Sequence, residues 1–391
     1  MSQKLKDNRL LRYLILALVL LNVPGFTIVY INGSLASILS YTSYALILGY
    51  VILCNKSGNC KEMLLMGGLY FLTSGLVTQE YMPDTHYFLV IIIKYFVIIW
   101  GGYEVLKRTS KEELWIFMLI GTFSILGNIF LFQNPVADYG RYSGFYLDPN
   151  NAGLICLMGF ALSFSIKPQW RLFGKLIFTA LGLLTFSRTF MITWLFMNLL
   201  SIKLDVRNAK MLLVGFATVV LLVTFNEFLP VQNPRLQQLS DFINGESTNQ
   251  VNGVDEDSRE ETWARYYDAL LENPFFGNGY RSFLGNGVAN TKWGVHNTYL
   301  LIWGEGGILP LLVFLIFMGK LFLWSWHEFK KKPYTFLMLI NLALFLMTNH
   351  GFMITDYSLF LLVWIAIQLY SENNETSIEI GELNMQNNLR S

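Results

Sequence analysis

The sequence predicts an all-α polytopic membrane protein, with about twelve transmembrane helices and one large extracytoplasmic loop carrying short helices. Three observations predict it. Hydrophobic residues make up 53% of the chain and charged residues 14%, where a soluble chain carries about a quarter charged residues. Apolar runs long enough to cross roughly 30 Å of hydrocarbon recur along the chain. The basic residues then sort to alternate ends of those runs, as the positive-inside rule requires.

The runs fall at residues 13–31, 35–53, 62–80, 86–106, 114–132, 151–167, 172–188, 189–203, 211–229, 298–318, 335–350 and 357–371. Lys4, Lys6, Arg9 and Arg12 precede the first run in the charge layout of a signal peptide. No small-residue cleavage site follows, so the run reads as an uncleaved span. With that end inside, 20 of the 28 Lys and Arg residues fall on cytoplasmic segments and 7 outside, with Lys94 inside the fourth run. Both termini are then cytoplasmic and the large loop is extracytoplasmic. Residues 1–229 hold nine spans, the outer loop 133–150 among them, residues 230–297 the large loop, and residues 298–371 the last three spans. Residues 372–391 form a polar, Asn- and Glu-rich tail expected to be disordered.

The net charge of +1 says nothing about nucleic acid by itself, because distribution matters more than sum; no nucleic acid partner is expected. Cys54, Cys60 and Cys156 lie outside the large loop, so no disulfide is expected. No His, Cys, Asp or Glu cluster has metal-ligand spacing, so neither a metal nor a cofactor is expected.

The outer cations are few and therefore informative. Arg141 precedes the sixth run in a Gly-, Tyr- and Asp-Pro-Asn-rich segment. Arg188 follows Ser187 where the seventh run turns into the eighth. An arginine between two apolar helices needs an anionic partner, a wet cavity or a path to the headgroups. In the large loop, Ser258 and Glu261 form a capping box opening a helix that stops before Pro274. Arg259, Trp263, Tyr266 and Leu270 share one face of it, apolar apart from the guanidinium. Glu261 and Arg265 form an ordinary i, i+4 pair. The turn Gly277-Asn278-Gly279 permits positive φ and so has the form of an anion-binding nest.

His296, with Asn297, enters the tenth run at its outer edge, where an imidazole can take a proton near neutral pH or make an interfacial hydrogen bond. Glu305 follows nine residues deeper, and Gly306, Gly307 and Pro310 make an unbroken helix there doubtful. His350 ends the eleventh run at the same side. Lys94 in mid-span is expected to have a partner or to reach water, and with Glu80 and Asp84 at the outer side it can line a polar cavity. Arginine forks suit phosphate oxygens, and a histidine suits deprotonation of a sugar hydroxyl. Together they point to a lipid-linked diphosphate as glycosyl donor.

Arg141-x-x-Gly144-Phe145-x-x-Asp148-Pro149-Asn150, Ser187-Arg188, Arg259-x-x-x-Trp263 with Pro274-x-x-Gly277-x-Gly279, and His296-Asn297 with Glu305-x-Gly307 resemble the O-antigen ligase and Wzy-type polymerase superfamily. Pro310 departs from the small or aromatic residue that closes the family's histidine motif. The resemblance implies a metal-independent, inverting glycosyltransferase of GT-C-like fold in the bacterial inner membrane, moving an oligosaccharide from undecaprenyl diphosphate. It implies Arg141, Arg188 and Arg259 as diphosphate ligands, His296 as general base and Arg259 as a catalytic partner. Asn297, Glu305, His350 and Trp263 are candidate supporting residues. The expected acceptor is another lipid-linked repeat, as in a polysaccharide polymerase with an associated chain-length regulator protein, or lipid A core, as in a ligase. A flippase of the same lipid-linked sugar is the reading from another class, and it predicts polar residues along a transmembrane path.

Overall fold

The computed structural model describes residues 8–54, 56–77, 84–132, 140–226, 236, 259–290 and 293–370. Among these the chain is helical and has no strands. The first half of the chain forms α1 (Arg9–Leu20), α2 (Val23–Tyr30), α3 (Gly33–Cys54), α4 (Lys61–Val77), α5 (Thr85–Lys107), α6 (Lys111–Phe130) and α7 (Pro149–Leu162). There follow α8 (Pro168–Leu183), α9 (Arg188–Ile202), α10 (Lys210–Asn226), α11 (Arg259–Ala264) and α12 (Tyr267–Glu272). The last are α13 (Thr298–Gly306), α14 (Ile308–His327), α15 (Pro333–Leu346) and α16 (Asp356–Tyr370).

Over its described residues, each apolar run read from the sequence is largely helical. Among the described residues, five helices suffice by length and composition to cross a membrane, or six if α1 and α2, bent by 52°, count as one span. Other apolar helices are shorter: α7, α9, α15 and α16 fall below the length of a full span. At 1.5 Å per residue the 14 residues of α7 rise about 21 Å. The count of twelve is therefore not reached by full-length helices. Ile38, Ile52, Leu72, Leu76, Leu213, Phe216, Ile316 and Leu323 are exposed apolar side chains on helix flanks. So many on one chain are the surface a lipid phase requires and a water-facing surface avoids.

The core forms around α7, which is buried along almost its whole length and packs on α6, α8, α9 and α15. Ala152, Gly153, Gly159 and Ala161 keep it slim enough to sit among four neighbours. The opposite end of the bundle from the α7 N-terminus is locked by charge. Ser110 and Glu113 make a reciprocal capping box on α6. Arg12 of α1 reaches the same carboxylate, donating from Nη2 to Glu113 Oε1 at 2.9 Å and from Nη1 to the Arg108 carbonyl at 2.6 Å. Arg108 in turn pairs with Glu104 at 2.8 Å. All three cysteines are free and buried, Cys54 as the last residue of α3. Burial pushes the Cys60 thiol up to about 12.

The described part of the long polar segment folds onto the bundle. The single helix expected from Ser258 to Pro274 is two, α11 and α12, separated at Arg265 and Tyr266; Ser258 lies outside the described residues. The inward face is as expected: Tyr266 and Leu270 are buried and Trp263 packs partly buried against them and the core. The Tyr266 ring packs at a tilt on Phe283 with centroids 4.9 Å apart, and its hydroxyl donates to the Trp293 carbonyl at 2.8 Å. The tenth run is broken, with Gly307 at φ 83° between α13 and α14. The Gly277-Asn278-Gly279 turn is what seals that break. Its N–H groups donate to Asn273 O at 3.0 Å, Gly304 O at 2.7 Å and Glu305 O at 3.2 Å. Ile308 N donates back to Pro274 O at 3.0 Å. The expected anion nest is therefore corrected: Gly277 N is taken by the Asn273 carbonyl that follows α12, and the Asn278 and Gly279 amides satisfy orphan carbonyls at the C-terminus of α13. A Cβ on Gly277 would stand 2.5 Å from Glu305 O, so this approach of two backbones requires glycine.

Candidate functional site

One end of the bundle gathers five loop and helix termini through polar side chains. The first comes from the segment after α6. Asn128, near the end of α6, accepts through Oδ1 from Ser143 N at 3.0 Å and from Gly144 N. Gly144 has φ +57°, and a Cβ there would run into the Ser124 side chain and the Ile125 amide. That contact holds the segment carrying Arg141, which is half-buried. The segment then enters α7 at Asp148-Pro149. Asp148 Oδ1 caps α7 by accepting from Asn150 N at 2.8 Å and Asn151 N at 3.1 Å, with Pro149 at the first helical position.

The cap leaves the two asparagine side chains to reach other helices. Ser187 Oγ donates to Asn150 Oδ1 at 2.7 Å and caps α9 by accepting from Phe190 N at 3.1 Å. Asn349 Nδ2 donates to Asn151 Oδ1 at 3.1 Å. Asn349 also accepts from Gly351 N at 2.6 Å through its side chain, and from Thr298 Oγ1 at 2.6 Å through its carbonyl. Thr189 Oγ1 donates to Thr348 Oγ1 at 3.2 Å. The N-termini of α7, α9 and α13 thus meet the C-terminus of α15. Helix N-termini carry positive partial charge, which suits an anionic ligand.

His296 and His350 sit on this frame. Asn297 caps α13 through its side chain, accepting from Tyr299 N at 3.0 Å and Leu300 N at 3.2 Å. His296, immediately before the cap, has φ 46°. Its ring meets His350 edge to face, with centroids 4.4 Å apart. Both histidines are half-buried. Arg188, the first residue of α9, is exposed. It lines a cavity of about 230 Å³ walled by Leu183, Phe186, Met191, Val219 and Leu222. The bonds of Ser187 and Thr189 on either side tie Arg188 to Asn150 and Thr348, two residues from His350.

The remaining sequence candidates fall elsewhere or only partly into view. Arg259 begins α11, and its side chain lies outside the described residues. Glu305 is buried and its carboxylate is taken by other partners. Its carboxylate accepts from the Tyr70 hydroxyl and from Phe283 N at 3.2 Å, so it anchors the loop after α12 to α4. Lys94 does not pair with Asp84, which is exposed at the start of α5; Glu80 lies outside the described residues. Its ammonium donates to Ser40 Oγ at 3.1 Å beside the rings of Tyr41 and Tyr44. Among the described residues no group of three His, Cys, Asp or Glu is placed to hold a metal. Sequence reasoning missed Asn150, Asn151, Ser187, Thr348 and Asn349 as a connected set. The available signal was a polar residue at each end of apolar runs that would otherwise have none.

These observations define an all-helical protein with several apolar helices of membrane type and a polar, two-histidine cluster at one end of the bundle. Residues 173–315 match the model of the Wzy_C family, described as O-antigen ligase, so this stretch of the chain is similar to that family. The match runs from α8 into α14 and takes in Arg188, Arg259 and His296, while Arg141, Asn151, Asn349 and His350 lie beyond it. No curated protein matches the chain. The family implies glycosyltransferase-like activity at a membrane on lipid-linked glycans.

Proposed function

We propose that this protein polymerises surface polysaccharide repeat units, transferring an oligosaccharide from undecaprenyl diphosphate to a second lipid-linked glycan at the outer leaflet of the bacterial inner membrane. The observation that carries the reading is the joining of Arg188 and His296 to one hydrogen-bonded frame, although 108 positions separate them in the chain. In this reading the polar segment 230–297 is extracytoplasmic and both termini are cytoplasmic. The locked end built from Arg12, Arg108 and Glu113 then faces the cytoplasm, in keeping with the positive-inside rule. The bundle is of GT-C-like type, with the shorter helices completing the spans.

The chemistry follows from the side chains. An acceptor hydroxyl gives its proton to His296 as its oxygen attacks the anomeric carbon of the donor sugar. The bond from that carbon to the diphosphate oxygen breaks with inversion, and the electron pair leaves with the diphosphate. Arg188, with Arg141 and Arg259, balances the charge on the departing group without a metal. His350, whose ring meets that of His296 edge to face, holds the acting ring in place. The apolar cavity beside Arg188 supports the same reading, because a polyprenyl diphosphate needs a cation and an apolar wall side by side. Transport is disfavoured by the concentration of these groups at one end.

The test is reconstitution in proteoliposomes with an undecaprenyl-diphosphate oligosaccharide, with and without lipid A core. A ladder of products without core is expected, and core-dependent single transfer assigns the ligase reaction instead. His296→Ala and Arg188→Ala are expected to abolish transfer while leaving insertion intact. Wild-type turnover in either variant removes that residue from the mechanism.

A further inference from the structure

Another cavity, of about 460 Å³ and partly polar, lies between α1, α3, α5 and α16. Lys94, Asp148, Asn151 and Asp356 contribute its polar lining, and Tyr44 and Tyr87 are among its aromatic walls. The charges oppose one another within it. Tyr44 donates its hydroxyl to Asp356 Oδ2 at 2.6 Å, and its ring lies 5.3 Å from the Lys94 ammonium. One lysine against two aspartates leaves the lining with one net negative charge, counted from these residues. Such a lining offers a diphosphate no excess of cationic side chains. Carboxylate, ammonium, amide and hydroxyl groups set among tyrosine rings are instead suited to the hydroxyls and the apolar ring face of a sugar. Asn151 lines this cavity and accepts from Asn349, the neighbour of His350. The cavity is thus joined to the candidate catalytic cluster by one residue.

We infer that this cavity is the subsite for the acceptor's terminal sugar, and that it selects a hydroxyl-rich sugar without anionic groups. The inference rests on the glycosyl-transfer reading above and adds to it the separation of two subsites by charge. The donor diphosphate belongs at the arginine side, and the acceptor sugar at the Lys94 and Asp356 side. Asp356 and Lys94 are binding residues here, and Asn151 positions the bound sugar relative to the histidines.

The experiment is saturation-transfer NMR on the full chain in lipid nanodiscs. The probes are the methyl glycosides of glucose, galactose and N-acetylglucosamine, with methyl glucuronide as the anionic analogue. At least one neutral glycoside is expected to receive saturation, with the glucuronide about ten-fold weaker, since like charge costs affinity in a shared site. Asp356→Asn is expected to remove most of the neutral signal. Tyr87→Ala, at a rim position 50% exposed and therefore remote from the core, is expected to lower it without disturbing the fold. His296→Ala is expected to keep the signal while losing transfer. No signal from any neutral glycoside, a stronger signal from the glucuronide, or an undiminished signal in both Asp356→Asn and Tyr87→Ala overturns the subsite. If His296→Ala loses transfer in that case, the transfer reading stands without it. Wild-type transfer by His296→Ala with an Asp356-dependent signal has the opposite consequence.

Discussion

Asn349 is the residue whose loss most directly separates site assembly from fold stability. Its side chain makes two hydrogen bonds, to Asn151 Oδ1 at 3.1 Å and from Gly351 N at 2.6 Å. Asn349→Ala removes both, while the backbone bond from Thr298 to the Asn349 carbonyl can persist. At about 1 kcal/mol per bond the change costs about 2 kcal/mol, or about 30-fold in an equilibrium between aligned and misaligned arrangements. The bonds lie next to His350 and across from the α7 N-terminus, so the loss falls on the alignment of the two histidines. Transfer per enzyme, measured in proteoliposomes, is therefore expected to fall by up to about 30-fold. The control is Asn341→Ala, in the same α15, which removes the bond to the Leu154 carbonyl at 3.1 Å deep in the bundle. That variant is expected to lower the apparent melting temperature in detergent while sparing the transfer rate of the folded fraction. Wild-type transfer by Asn349→Ala refutes the reasoning. So does a parallel loss in both variants that tracks melting temperature alone.

Arg12→Ala leaves the Glu113 carboxylate without its buried guanidinium and is expected to cost about 3–5 kcal/mol, read as loss of folded protein in a thermal assay. Glu328→Gln, breaking an exposed pair with Lys331, is expected to change stability by less than about 1 kcal/mol in the same assay. Gly277→Ala forces φ +76° on a residue with a Cβ and drives that atom into the Glu305 carbonyl. It is expected to cost at least about 1–2 kcal/mol from the left-handed conformation alone. Gly68→Ala on α4, where a Cβ meets nothing within 4 Å, is expected to leave yield and melting unchanged. Cys60, its thiol raised to about 12 by burial, is protonated at pH 8 and is expected to resist maleimide labelling there. Labelling is expected to rise only on unfolding or as the pH approaches 12, followed by mass spectrometry.

The fold class and the helical runs were legible because they depend on local quantities. Apolar run length sets whether a segment can span hydrocarbon, and the spacing of Trp263, Tyr266 and Leu270 sets which loop face turns inward. The helix break at Gly307 was legible for the same reason, since two glycines and a proline act within one turn. The arginines and the histidine stood out because charged and titratable groups are scarce in apolar sequence.

What the tertiary structure decided is every pairing between distant positions. The amides of Gly277, Asn278 and Gly279 are free donors in the sequence. Gly277 N turns back to the Asn273 carbonyl after α12, and the other two become caps only because the end of α13 lies beside them. Glu305 is a site candidate by its distance from His296 along the chain, yet Tyr70 and Phe283 take its carboxylate into the core. Lys94 finds Ser40 and Tyr44 on α3 rather than the carboxylates nearest in sequence. The two histidines, 54 positions apart, meet because polar side chains at the ends of α7, α9, α13 and α15 satisfy one another across the bundle. Buried polar groups must find partners, and which partners they find depends on helix packing, which no local pattern specifies.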